Sequence, residues 1–289
     1  MAIIDSIINF RRFLKRKNCA KGTVKNHMNS LKNFAIWIDL PIEDVTNQHI
    51  QAYIDSLLDK RLKPKTINNN LDSIRGFYNY LQNEEKAVNS NPVKKGYCLR
   101  LGRPLPKHLR DEQAREIFKF IRSIRDRAIF MLMLRCGLRV EEVANLTLSA
   151  IDLKRGQILI FKGKGAKGRT VYASKDTYDE LVAYMKIRKS SKTQGLFLVE
   201  KGICKGKEIS VRGIQKRIEY YSKKSGIKVS CHHLRHTMAT QLLNAGAGLE
   251  TIQDLLGHSR ITTTQRYCKL SNLKVQRDYY TAMDYVLQR

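Results

Sequence analysis

Acidic side chains are scarce in this chain. Its 289 residues carry 26 Asp+Glu against 54 Lys+Arg, a formal net charge of +28. An excess this large exceeds any need of solubility and implies a polyanionic partner, most often nucleic acid. Long apolar runs are missing as well. The longest, Ala128 to Leu134, falls far short of the roughly 20 residues of a membrane-spanning helix. The N-terminus, Met1-Ala2-Ile3-Ile4-Asp5, lacks the basic segment and apolar stretch of a secretory signal. The six cysteines, at 19, 98, 136, 204, 231 and 268, are scattered without a Cys-x-x-Cys pair. They read as reduced thiols of a cytoplasmic protein, not as a disulfide framework. No nucleotide-binding Walker motif, internal repeat or low-complexity segment occurs. Hydrophobic residues nevertheless make up 42%, enough for a packed core, which excludes wholesale disorder.

Proline is sparse too, and its placement is informative. Three of the five prolines, Pro92, Pro104 and Pro106, fall in one basic stretch. That stretch has no apolar periodicity and is read as a linker, residues 92–109. It divides the charge unequally: residues 1–91 hold a net +5 and residues 92–289 a net +23. The first part reads as a bundle of about four helices. One covers residues 2–16; the stripe Val24, Met28, Leu31, Ala35, Ile38 marks the second. Thr46 is placed to cap the third, and Pro64 opens the fourth. Lys21, Lys25, Lys32, Lys63, Lys65 and Arg75 lie on polar faces, where solvation explains them as well as DNA does. The second part, 110–289, is mixed. Helical patterns cover 111–121, 124–136 and 139–146, then 175–188, 211–224, 233–245, 249–256 and 273–287. Residues 157–161 and 169–173 read as the strands of a hairpin around the glycine-rich turn Lys162–Gly168.

Several residues carry chemistry only in combination. Arg139 opens a helix after the Cys136-Gly137-Leu138 break, where a phosphate is well received, although taken alone an ordinary Arg139–Glu142 surface pair is the better reading. His232, Arg235 and His236 share one helix face. A cation and two imidazoles together suit an anion better than a core. Zinc is the competing reading of His232 and His236, but no Glu stands at position 233 and Arg235 would repel a divalent cation. His258 follows the helix-ending Gly257, and Tyr267 lies nine residues further on.

Taken in order, Cys136-Gly-Leu-Arg-Val-Glu-Glu142, Gly163-Lys-Gly165, His232-His-Leu-Arg-His-Thr-Met-Ala-Thr240 and Leu256-Gly-His-Ser-Arg-Ile-Thr-Thr-Thr-Gln-Arg-Tyr267 resemble the tyrosine recombinase (phage integrase) family, its Xer-like or transposon-borne members in particular. The resemblance runs from about residue 5 to the end, with Cys136 standing where the family often has Thr. It implies a mainly α, two-domain protein: a helical core-binding bundle and a mixed, mostly α catalytic domain with a small sheet, forming a C-shaped clamp around DNA. It implies catalytic roles for Arg139, Lys164, His232, Arg235, His258 and the nucleophile Tyr267, with Glu142 and His236 one layer behind. Lys21, Lys25, Lys63, Lys65, Lys162, Lys167 and Arg169 are the candidate DNA contacts. The chemistry is consistent: a phenolate attacks phosphorus, two arginines hold the non-bridging oxygens, a lysine protonates the leaving 5′ oxygen, and an imidazole shuttles protons. Strand exchange through a 3′-phosphotyrosyl link conserves bond energy, so neither ATP, metal nor any other cofactor is expected.

The resemblance also implies double-stranded DNA sites, a homotetramer, a final helix passed to the neighbouring protomer, and a nucleoid-associated location. Two other classes compete: a type IB-like topoisomerase, which uses a similar residue set, and a non-catalytic DNA-binding relic. The short chain and the Leu-Gly-His and His-x-Leu-Arg-His forms favour the recombinase.

Overall fold

The computed structural model describes residues 3–102, 106–161, 168–258, 261–265 and 272–287. The chain divides into two compact units, Met1–Arg103 and Pro104–Arg289.

The first unit is built from α1 (Ile3–Arg16), α2 (Lys21–Ile38), α3 (Asn47–Asp59) and α4 (Pro64–Tyr80). Thr46 occupies the N-cap of α3 and Pro64 the first turn of α4, where a missing N–H costs nothing. The apolar stripes meet in one core. Phe10, Leu31, Phe34, Tyr53, Ile67, Leu71, Ile74 and Phe77 are each at most 2% exposed. The segment expected as the start of a linker packs onto this unit instead. Val93 is buried in its core. Arg75 donates to the carbonyls of Val93 and Lys94, and Asn68 exchanges two 2.9 Å hydrogen bonds with the backbone of Leu99. The side-chain amide and guanidinium thus replace the ladder partners that an irregular segment lacks.

The second unit opens with α5 (Asp111–Phe120), α6 (Ile124–Arg135) and the short α7 (Val140–Ala144). Three antiparallel strands follow, β1 (Ile151–Asp152), β2 (Gln157–Ile160) and β3 (Arg169–Tyr172), in the order β1-β2-β3. Then come α8 (Lys175–Ile187), α9 (Val211–Ser225), α10 (Cys231–Asn244), α11 (Leu249–Leu256), α12 (Ile261–Gln265) and α13 (Asn272–Leu287). The run Ala128–Leu134 is the middle of α6 and is buried all round, packed against α8 and α10. β2 and β3 pair Ile158 with Val171 and Ile160 with Arg169. Ile158, Ile160 and Val171 face the core. The fold is mainly helical with a small sheet. β1 and α12 are additions to the sequence reading; at two and five residues they are too short for a periodic signal. No described helix is long and apolar enough to cross a membrane.

Candidate active site

The site is assembled around two glycines in left-handed backbone. Gly137, with φ +66°, follows the end of α6. A Cβ there would stand 2.9 Å from Leu256 Cδ2 and 3.1 Å from Met238 Sδ, so only glycine lets the α6–α7 turn close against α10 and α11. Gly257, φ +60°, ends α11. A Cβ there would sit 3.1 Å from the Cδ and Nη1 atoms of Arg169.

The first turn delivers Arg139 to the start of α7 with its side chain 35% exposed. Glu142, one turn later and only 12% exposed, accepts from the Arg139 backbone N–H at 2.8 Å and from Arg139 Nη1 at 2.9 Å. Its other lone pairs take Arg169 from β3, Nη1 to Oε1 at 2.8 Å and Nη2 to Oε2 at 2.7 Å. Burial alone would raise this carboxyl. The hydrogen bonds from Arg169 and Arg139 and the Arg169 charge outweigh burial and pull it down to about 2.

The C-terminus of α11 supplies the other anchor. Its last carbonyls lack helical partners and carry the negative end of the helix dipole. Arg169 Nε donates to Leu255 O at 2.8 Å, Arg235 Nη2 to Leu256 O, and Arg139 Nη2 to Gly257 O at 3.1 Å. Arg235, in α10 and 2% exposed, also donates to Gly137 O. Three successive carbonyls therefore hold three guanidiniums. Sequence reasoning took Gly257 only as a helix stop and did not foresee this. The signal was there in the glycine directly before His258, since a helix ending beside a phosphate site points its carbonyls at the site's cations.

His258 leaves this turn with its Nδ1 3.0 Å from the hydroxyl of Thr264, a fully buried residue of α12. Burial and the charges of Arg235, Arg139 and Arg169 lower it to about 4, so it is neutral at pH 7. His232 lies exposed in the first turn of α10, its ring perpendicular to that of His236 at 4.3 Å between centroids. Desolvation, then the charges of Arg235, His233 and Arg139, lower it as well. Among the described residues no three His, Cys, Asp or Glu side chains cluster as a metal site.

Of the residues singled out in the sequence, Arg139, Glu142, Arg235 and His258 thus meet at one place. Lys162, Lys164, Lys167 and Tyr267 lie outside the described residues. Lys21, Lys25, Lys63 and Lys65 are exposed on the first unit. Arg169 requires a correction. Expected as a DNA contact, it is only 10% exposed, and its Nε, Nη1 and Nη2 all donate within the protein, because the Glu142 carboxylate and the α11 terminus draw it inward.

Comparison with known proteins identifies the family. Residues 107–273 match the model of the phage integrase family, and residues 7–87 that of the phage integrase N-terminal SAM-like domain. Tyrosine recombinase XerA of Thermococcus kodakarensis is 30% identical over 269 residues, 92% of this chain and 91% of its own. Tyrosine recombinase XerC of Thermodesulfovibrio yellowstonii is 33% identical over 276 residues, covering 90% of each. Among solved structures, the integrase of transposon Tn1549 in complex with a circular intermediate DNA superposes with a TM-score of 0.78 at 21% identity, over 92% of this chain and 95% of that one; it shares the fold. With the motif order, the clustered arginines and these matches in hand, the chain belongs to the phage integrase family, that of the tyrosine recombinases.

Proposed function

We propose that this chain is a site-specific recombinase that cuts and rejoins double-stranded DNA through Tyr267. The observation that carries the proposal is the convergence of three arginines at the α11 terminus. Arg139, Arg169 and Arg235 converge there on three successive backbone carbonyls, and Glu142 grips Arg139 and Arg169. Such a site is complementary to an anion whose charge grows during reaction, as a phosphodiester's does on nucleophilic attack.

In this reading Tyr267 Oη attacks the scissile phosphorus, and the bond to the 5′ oxygen breaks. Lys164 gives that oxygen its proton. Arg139 and Arg235 hold the non-bridging oxygens, fork to anion, while charge builds. His258, neutral at pH 7 by its depressed pKa, retains an N–H to offer the phosphate. His232 takes the phenol proton, a task for which a lowered pKa near the site suits it. A 5′ hydroxyl from a second strand then attacks the 3′-phosphotyrosyl bond and frees Tyr267.

The exposed Lys21, Lys25, Lys63 and Lys65 would give the first unit its grip on the phosphate backbone. A homotetramer on paired sites accounts for α13. Tyr279, Tyr280, Val286 and Leu287 are each more than half exposed on the chain's own surface, and docking on a neighbouring protomer would cover them. A head-to-tail exchange of this kind closes into a ring. Residence on the nucleoid follows from the same DNA affinity.

The test is covalent trapping on a cleavable site. Tyr267→Phe should bind DNA as the parent does and form no protein–DNA adduct, and the parent should exchange strands between two sites. An adduct formed by the variant overturns the assignment of the nucleophile. Supercoil relaxation by the parent without two-site exchange makes the protein a topoisomerase instead.

A further inference from the structure

Arg169 begins β3, immediately after the hairpin turn, and reaches away from solvent into the gap between α7 and α11. All three of its nitrogens donate within the protein: two grip Glu142 and the third holds Leu255 O. Glu142 in turn grips Arg139, and the α11 terminus that Arg169 braces holds both Arg139 and Arg235. Gly257 adds an independent observation. The Cβ it lacks would meet the Arg169 side chain at 3.1 Å, so the backbone leaves room for this arginine. A bidentate arginine–carboxylate pair fixes direction as well as distance, which a lysine or an apolar filler would not.

We propose that Arg169 is a positioning residue of the cleavage site: by clamping Glu142 and the end of α11, it sets the direction in which Arg139 meets the scissile phosphate. It touches no phosphate itself. The inference rests on the reading of Arg139 as a phosphate clamp. Misplacing a catalytic group by about 1 Å costs on the order of a hundredfold in rate, and Arg169 is where such misplacement would begin.

The experiment compares Arg169→Met, Arg169→Lys and Arg139→Ala on a nicked duplex at which the parent forms its covalent adduct. Arg169→Met should keep DNA affinity and its salt dependence while cleavage falls about a hundredfold. Arg169→Lys keeps the charge and the stem, so it keeps the test standing should the Met variant fail to fold; it loses the fork, and its cleavage should fall about tenfold. A second substrate carries a methylphosphonate at the scissile position, which removes the charge Arg139 meets. On it most of the gap between parent and Arg169→Lys should close, whereas a merely structural defect would slow both substrates alike. A weaker affinity with the salt slope reduced by about one unit would make Arg169 a phosphate contact and overturn the proposal. So would equal losses on both substrates, or unchanged cleavage. If Arg139→Ala cleaves like the parent, the reading of the site itself fails. If Arg139→Ala is inactive while Arg169→Lys and Arg169→Met are normal, only the present inference does.

Discussion

Asp126 near the start of α6 and Glu142 in α7 are each gripped by two arginines. Asp126 accepts from Arg125 at 3.0 and 2.7 Å, from Arg217 at 2.6 Å and from the Tyr221 hydroxyl at 2.9 Å, and it is wholly buried. Glu200 lies 3.7 Å from Arg125, so two arginines face two carboxylates and the formal charge cancels. Arg125 Nη1 donates to Leu198 O, and Arg217 lies over the rings of Tyr220 and Tyr221. At Glu142 the arrangement differs. Arg139 and Arg169 share one carboxylate, and both also lean, with Arg235, on the backbone carbonyls that end α11. One knot is closed and neutral. The other is held open at Arg139, which keeps 35% of its side chain in solvent. A carboxylate with two arginines is therefore no mark of function; an arginine held open to solvent beside a helix end is.

Breaking each knot should separate stability from activity. Asp126→Ala strands a nearly buried Arg125 without its partner, which typically costs about 3–5 kcal/mol. Urea unfolding should register that loss, while cleavage per folded molecule stays at the parent's level. Glu142→Gln should do the reverse, costing less stability while slowing cleavage. If Asp126→Ala abolished cleavage in protein that remained folded, the division between a structural and a functional knot would be wrong.

The glycine pair offers a smaller and sharper contrast. Gly226 ends α9 with φ +71° and Gly257 ends α11 with φ +60°. Alanine at either pays the left-handed penalty of about 1–2 kcal/mol. Around Gly226 no atom stands within 4 Å of the added Cβ, whereas at Gly257 it presses on Arg169. Both variants should lose similar stability in thermal unfolding, and only Gly257→Ala should lose cleavage, by about tenfold if the α11 carbonyls shift by a fraction of the 1 Å that typically costs a hundredfold. Equal activity in the two variants would show that the α11 terminus tolerates displacement.

Much of this was legible in the sequence for reasons the structure makes plain. Long amphipathic stripes such as Val24–Ile38 became α2, and capping and breaking residues such as Pro64 and Gly257 set helix ends within a residue or two. The grouping of Arg139, Arg235 and His258 was legible from motif order. The inward course of Arg169 was not, because charge and a place beside a basic hairpin suit a surface contact equally well. Only the three-dimensional meeting of β3, α7 and α11 reveals its partners. Backbone carbonyls carry no side-chain signal of their own, so the arginine anchors on residues 255–257 left only the indirect trace of a helix-ending glycine before His258. The docking of Val93–Leu99 on the first unit escaped for a similar reason, since it rests on Arg75 and Asn68 bonding to main chain.

The clustered arginines should also be readable through His258. Its proton affinity is lowered from near 6.5 to about 4, by burial first and then by Arg235, Arg139, Arg169 and His232. Between those limits the unfolded chain binds the proton more readily than the folded one. This contribution to stability is therefore complete above pH 6.5 and is lost as the pH falls towards 4. Thermal unfolding from pH 7.5 to 4.5 should show a steeper loss in the parent than in His258→Asn, which cannot titrate. A DNA phosphate at the site would offset the arginine charges and raise His258 again, so binding should take up protons in the same window. DNA affinity measured at fixed ionic strength should then rise modestly, by less than about tenfold, as the pH falls from 6.5 to 5, and His258→Asn should flatten that rise. His232 titrates close by and contributes in the same sense, so the double variant His258→Asn with His232→Asn isolates the two. Parallel stability curves for parent and His258→Asn would mean that the arginine charges at the α11 terminus are already screened before DNA arrives, and the contrast with the neutral Asp126 knot would lose its force.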